Sequence, residues 1–211
     1  MAARLHNVRL HTVREIEIKL RVPDVPAMIR DLRRLGATLH GRVLERNTVY
    51  DTPDDDFRSR HRLLRLRVET PAPSDLAPGG RACAVVTSKS RPARSAGRRY
   101  KQNLERETCV RRWRTWPAIL RALDLRPGFR YEKYRTAFRL PGLHLDLDET
   151  PAGDFLELEG PPRAIDSVAR ALGYSPRDYI RHTYWDIFQA ECRRRGHFPK
   201  NMLFTNEKIA K

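Results

Sequence analysis

Glu15-Ile16-Glu17-Ile18-Lys19-Leu20-Arg21-Val22 alternates charged and aliphatic side chains without a break. That period of two predicts a strand with its charges on one face and its aliphatics on the other. The pattern returns in Leu64-Arg65-Leu66-Arg67-Val68-Glu69. Charges two residues apart recur as Glu105 and Glu107, Lys133 and Arg135, Asp146 and Asp148, and Glu157 and Glu159, while Lys89 stands alone on its strand. Same-face neighbours on a strand lie ~6.6 Å apart, so paired carboxylates repel unless positive charge sits between them.

Working outward, Asp24 reads as the N-cap of a helix running to about Leu35, with Val25, Met28, Ile29, Leu32 and Leu35 on one face and Gly36 ending it. Further strands are expected over 42–51, 64–69, 82–89, 104–110, 129–140, 143–149 and 154–159, with Pro141-Gly142 as a hairpin turn. Thr52-Pro53 predicts the start of a short helix. Longer helices are expected over 116–123, with Trp116, Ile119, Leu120 and Leu123 inward, and over 162–172 and 176–194. Loops fall over 71–80 and 90–102, the second carrying five Arg and Lys between Arg91 and Lys101.

The apolar helix faces need an apolar surface to cover, and each strand offers only one. The charged strand faces therefore point away from the helices. In an open sheet they would meet water; in a closed barrel they would line the interior. A single E-x-E-x-K strand is compatible with a solvated sheet face. Six charged strands, divided between acid-bearing and base-bearing faces, favour a tunnel. The expected fold is α+β: a closed eight-stranded antiparallel β-barrel with amphipathic helices packed outside. In such a lumen a hard divalent cation would sit between carboxylates, and Arg and Lys on facing strands would grip a chain of phosphates.

The 211 residues fit one domain, with a core over about 14–204 and loose tails at 1–13 and 205–211. A hydrophobic content of 40% excludes a disordered polycation. No apolar run approaches the ~20 residues of a membrane span, and the first residues lack the apolar block of a secretory signal, so a cytoplasmic protein is expected. The first 14 residues are basic and acid-free, only a weak match to a transit peptide. Cys83, Cys109 and Cys192 have no paired spacing, which disfavours a disulfide framework and a structural zinc site. The formal net charge is +16, and seven lysines leave 35 arginines among the 42 basic residues. Arginine's planar fork favours a polyanionic partner, although a GC-rich genome would give the same ratio. Nucleic acid is compatible with this charge but not favoured, because lumen carboxylates add nothing to a pure anion binder.

Asp54-Asp55-Asp56 reads as a helix start rather than a metal site. The seven histidines show no paired metal spacing, and there is no Walker loop or G-x-S-x-G. Trp113, Trp116 and Trp185 suit helix packing better than base stacking. The basic loop reads as solvated or as a contact for acidic metabolites or nucleic acid.

The order of these segments resembles the CYTH superfamily, the triphosphate tunnel metalloenzymes. The resemblance rests on Glu15-Ile16-Glu17-Ile18-Lys19, Tyr50-Asp51-Thr52, Leu64-Arg65-Leu66-Arg67, Thr87-x-Lys89, Glu105-x-Glu107, Lys133-Tyr134-Arg135 and Leu147-Asp148-Glu149. It continues through Gly153 to Gly160, Leu172-Gly173 and Thr183-Tyr184-Trp185-Asp186. It implies that Glu15, Glu17, Asp148, Glu157 and Glu159, with Glu105 and Glu107, attend Mg²⁺ or Mn²⁺. It also implies that Lys19, Arg65, Arg67, Lys89, Lys133 and Arg135 hold a triphosphate, with Arg181 closing the tunnel. Glu15, Glu17 and Lys19 would be the catalytic set. The implied reaction is metal-dependent hydrolysis of inorganic triphosphate, ATP or thiamine triphosphate. Conversion of ATP to cyclic AMP and pyrophosphate is the first alternative, and a non-catalytic polyphosphate or RNA-binding module the second. Where the family has an aromatic before the lysine of the fourth strand and Gly-Pro after it, this chain has Thr87-Ser88-Lys89-Ser90-Arg91. The group beyond the phosphates therefore stays open.

Overall fold

The computed structural model describes residues 13–72, 82–93, 99–196 and 199–205. Its strands are β1 (Val13–Arg21), β2 (Thr38–Asp51), β3 (Arg62–Pro71), β4 (Cys83–Ser90), β5 (Lys101–Cys109), β6 (Arg126–Leu140), β7 (Leu143–Thr150) and β8 (Gly153–Glu159). They close into one antiparallel barrel in the order β1-β5-β4-β3-β2-β6-β7-β8. β1 completes the ring by pairing with β5 on one side and β8 on the other. This is the closed barrel that the alternating charges anticipate, and closure removes the free sheet edges.

The helices are α1 (Val25–Arg34), α2 (Asp56–Ser59), α3 (Trp116–Ala122), α4 (Pro162–Ala171) and α5 (Tyr184–Arg194). Asp24 caps α1, its carboxylate accepting from the Ala27 amide at 2.9 Å. Met28 and Leu32 of α1 and Ile165 and Ala169 of α4 pack on Ile18, Leu20, Leu147, Leu156 and Leu158 of the barrel wall. Each such leucine contributes ~1.5–3 kcal/mol on burial. This layer also fixes register, because a one-residue slip would turn every charge of a strand outward. A smaller layer joins Leu120 of α3 to Tyr50, Leu66 and Ala84. A third, of Phe155, Tyr184 and Met202, seats α5 at one end of the barrel. Among the described residues no helix is long and apolar enough to cross a membrane.

Several expectations need correction. The helix expected over 176–194 is broken into a 3-10 turn (Pro176–Asp178), an extended stretch and α5. Each piece begins on its own capping box, Ser175 with Asp178 and Thr183 with Asp186. Between them Ile180 exchanges both backbone hydrogen bonds with Lys19, at 3.0 and 2.9 Å. Thr52-Pro53 forms a turn, and α2 starts later, where the Asp51 carboxylate accepts from the Phe57 and Arg58 amides at 2.8 and 2.9 Å. On α3, Trp116 and Leu120 form the row that meets the barrel. Ile119 and Leu123 form the adjacent i,i+4 row and are 48% and 65% exposed, not inward. β2 begins at Thr38, ahead of a bulge at Gly41, and Lys101-Gln102 belong to β5 rather than to a loop. Val13 belongs to β1. The rest of the expected N-terminal tail, residues 206–211, residues 73–81 and the centre of the basic loop (94–98) lie outside the described residues.

Candidate functional site

The inward faces of the strands enclose a cavity of about 1440 Å³. Its lining runs from His40, Arg139 and His144 at one end to Arg58, Arg181 and Trp185 at the other. Along it, charge sorts into two regions.

The first region is built around Asp148, which is fully buried. Lys133 Nζ donates to it at 2.7 Å, Arg135 donates through Nε and Nη2 at 2.7 Å each, and the Tyr184 hydroxyl donates at 2.8 Å. Arg135 also reaches Asp146 at 2.7 Å and Glu157 at 2.5 Å, and Lys19 reaches Glu157 at 2.9 Å. Both lysine ammonium groups lie 5.1 Å from the centre of the Tyr184 ring. Glu45, 1% exposed, sits 3.5–3.6 Å from Arg67, Lys133 and Arg135. Burial opposes its charge, but Lys133, Arg135 and Arg67 outweigh burial and hold its carboxyl well below the usual range. Glu157 is lowered against burial in the same way by Lys19, Lys133 and Arg135. Burial would depress Lys19, yet Glu157 and Glu17 reverse that and raise it. Arg65 donates to the Tyr131 hydroxyl at 3.0 Å and to Thr87 at 3.2 Å. Its Nε, like Asn47 Oδ1, is buried with no hydrogen-bond partner among the described residues.

The second region is richer in acid. Lys89 Nζ donates to both Glu15 oxygens at 2.7 and 2.8 Å and lies 3.1 Å from Glu105. Lys101 Nζ donates to Glu17 at 2.6 Å, and Asn103 donates to Glu15 at 2.9 Å. Glu159 stands directly across the β1–β8 pair from Glu17. Glu15, Glu17, Glu105 and Glu159 thus share Lys89 and Lys101, with Lys19 reaching Glu17 at 3.3 Å from the first region. Burial first, then repulsion from Glu15, Glu17 and Glu105, pushes Glu159 up to about 8. Burial and Glu15 raise Glu105 to about 7 although Lys89 pulls it down. Glu17 goes the other way, since Lys101 and Lys19 overcome its burial. Among the described residues no three His, Cys, Asp or Glu side chains converge as a ready metal site. As donors these carboxylates are nonetheless all oxygen and outnumber their lysines, which fits a hard divalent cation if the ammonium groups turn aside.

Lys19, Arg65, Arg67, Lys133 and Arg135 share one lumen as expected. Lys89 lies apart from them, among the carboxylates. Glu107 lies 3.4 and 3.3 Å from Arg65 and Arg67 while also meeting Glu105, and Asp148 and Glu157 are surrounded by cations. Arg181 is exposed at the mouth in the extended stretch before α5. The residue that α5 sends into the barrel is Tyr184. Sequence reading missed Glu45, Asn47, Thr87, Lys101, Asn103, Tyr131 and Tyr184. Glu45-x-Asn47 shares the inward parity of β2, and Thr183-x-x-Asp186 marks a helix start, so signals for three of them were present.

The CYTH domain family profile matches residues 13–184. Similar solved structures include a candidate adenylate cyclase from Vibrio parahaemolyticus, at 18% identity and TM-score 0.71, covering 85% of this chain and 99% of that one. The PH1819 protein of Pyrococcus horikoshii OT3 matches at 19% and 0.69, covering 84% and 99%. HpAC1 from Hippeastrum, a candidate adenylyl cyclase described as having a dominant triphosphatase activity, matches at 20% and 0.55, covering 88% and 97%. At these identities the likeness is one of fold. No curated protein matches the sequence.

Proposed function

The chain belongs to the CYTH domain family, and on that premise we propose that it hydrolyses a triphosphate inside its lumen with the help of a divalent metal ion. One observation carries the reading: a single closed lumen holds Lys19, Arg65, Arg67, Lys133 and Arg135 beside four carboxylates that have only Lys89 and Lys101 to themselves and share Lys19 with Glu157. Five cations in one cavity match a chain of phosphates, and the adjoining carboxylates have no use in binding an anion unless a cation joins them.

In this reading the lysines and arginines bind the phosphate oxygens and offset the charge that develops on the leaving diphosphate. Asp148, Glu157 and Glu107, expected as metal ligands, instead orient those cations. Asp148 fixes the Arg135 fork bidentately and holds Lys133, so both cations meet substrate already aimed. The buried Arg65 Nε gains a partner when a phosphate oxygen arrives. Glu15, Glu17, Glu105 and Glu159 would hold Mg²⁺ or Mn²⁺, which when bound neutralises phosphate oxygens and makes a bound water more acidic. Tyr184, seated over Lys19 and Lys133, keeps bulk water from that end of the lumen. The triphosphatase activity described for HpAC1 supports placing hydrolysis ahead of cyclisation.

The test is product analysis. The protein is incubated with inorganic triphosphate, ATP, thiamine triphosphate and 5′-triphosphorylated RNA, each with Mg²⁺ or Mn²⁺. Orthophosphate release is expected. Cyclic AMP with pyrophosphate would replace hydrolysis by the cyclase reading. Tight, salt-sensitive binding without product would leave a polyanion-binding module.

A further inference from the structure

Helices α1 and α4 turn polar side chains outward: Arg30, Arg33 and Arg34 on the one and Arg163, Ser167 and Arg170 on the other are exposed. Helix α3 does not. Its inner row meets the barrel through Trp116 and Leu120, and its outer rows are Ala118 with Ala122 and Ile119 with Leu123, all four exposed. At 48% and 65%, Ile119 and Leu123 are the two exposed large hydrophobics that share an element among the described residues; the others, Val13 and Leu203, stand alone. Arginines surround the pair. Residues 111–126 carry Arg111, Arg112, Arg114, Arg121 and Arg126 against a single acid, Asp124. All five arginines are exposed, and among the described residues none has an ion pair. The Arg114 guanidinium lies 4.8 Å from the ring centre of half-buried Trp113.

We propose that the outer face of α3 docks the protein on an anionic lipid surface, with Ile119 and Leu123 entering the acyl boundary and the five arginines holding lipid phosphates. A helix face that only has to be solvated gains nothing from isoleucine and leucine. Guanidinium groups without carboxylate partners suit phosphate oxygens, and each basic side chain near an anionic leaflet adds its own attraction. Other occupants fit less well. A second copy of the chain would set arginine against arginine. Nucleic acid would leave Ile119 and Leu123 in water. A stable protein partner covers ~800 Å² per side, more than two large side chains and two alanines supply as an apolar centre. A bilayer needs no matching pocket, and a few inserted side chains suffice once the charges are held. None of these α3 residues or arginines lines the tunnel, so the assignment stands apart from the triphosphate reading.

The test is co-sedimentation across a salt series with vesicles of phosphatidylcholine alone and of phosphatidylcholine mixed with phosphatidylglycerol. It compares the wild-type chain with Ile119→Gln/Leu123→Gln and with Arg114→Ala/Arg121→Ala, all at exposed positions. The wild type is expected on the mixed vesicles and not on the neutral ones. The glutamine pair should bind about tenfold more weakly or worse at every salt concentration, because it removes the inserted apolar area. The alanine pair should lose about tenfold at low salt and less at high salt, where the arginines are screened. Brominated acyl chains should quench tryptophan fluorescence in the wild type and less in the glutamine pair. Turnover of inorganic triphosphate without vesicles should differ less than about twofold among the three proteins. A wild type that ignores the mixed vesicles would overturn the proposal. So would equal binding by the wild type and the glutamine pair, which would mark general adsorption of a chain of net charge +16. If the glutamine pair bound vesicles normally but lost affinity for an acidic polypeptide such as poly-glutamate, the face would be a protein-docking one and the lipid assignment would fall.

Discussion

The two regions of the lumen are built from the same strands with the same two-residue spacing, yet they behave as opposites. Around Asp148 every buried charge has an opposite charge at hand, and the carboxyls of Glu45 and Glu157 are held below their usual range against the pull of burial, although at Asp146 burial outweighs Arg135 and raises the carboxyl. Around Glu15 and Glu17 the acids outnumber their lysines, and Glu105 and Glu159 are driven up to about 7 and 8. Burial is common to both regions. What separates them is the local count of opposite charges. A buried network that is internally balanced acts as framework, and one left short of cations is prepared to take one up.

The largest expected effect comes from unbalancing the framework. Asp148→Asn removes the buried carboxylate that Lys133 and Arg135 share and should cost about 3–5 kcal/mol in denaturant unfolding. A loss under about 1 kcal/mol would show that the network is not balanced as described.

Next is Glu15→Gln, which touches the acid-rich side. Metal-dependent turnover should fall by about a hundredfold or more, roughly 2.7 kcal/mol in activation free energy, while the melting temperature stays close to wild type. Near-normal activity would remove Glu15 from the metal set.

A pH series sharpens the contrast. Glu105 and Glu159 titrate in the folded chain well above their ordinary value of 4.5. The folded state then keeps protons that the unfolded state has released, so stability falls as pH rises from about 4.5 to about 8. Glu17, Glu45 and Glu157 are lowered, so their contribution is present above about 4.5 and lost below it. Metal-free protein should melt highest near about pH 5 and lower at pH 8, and Glu159→Gln should flatten that slope. A flat wild-type profile from pH 5 to 8 would contradict the crowding. The smallest effect belongs to Tyr184→Phe, which keeps the ring over both lysines and removes one hydrogen bond to Asp148, for about 1–2 kcal/mol.

The strand alternation made the barrel legible because β1, β3 and β8 each put charge on one face and aliphatics on the other. It failed where the inward residues are not charged in pairs. Glu45 stands between Val43 and Asn47, so β2 reads as an ordinary strand. Lys101 and Asn103 come after a run crowded with arginine, where charge no longer marks a face. The division into two regions was out of reach for a different reason. Which acid meets which base depends on the order of strands round the ring, and β1 lies beside β5 and β8, far from it in sequence. The break before α5 was written in two capping boxes, but the apolar period runs across it and hides it. That break is what lodges Tyr184 in the barrel.

Closure through β1 also shapes how the chain is made. β1 begins at Val13, whereas its partners begin at Lys101 and Gly153. At ~5–20 residues/s of synthesis, β1 waits roughly 7–28 s for β8 to emerge. It is an unpaired strand until β5 emerges and keeps one open edge until β8 does, with an aliphatic face of the kind that recruits neighbours into aggregates. Glu15, Glu17, Lys19 and Arg21 give that same edge a charge at every second residue, a solubilising pattern on an incomplete sheet. Glu15, Glu17 and Lys19, which face the cavity in the finished barrel, thus guard the nascent strand first.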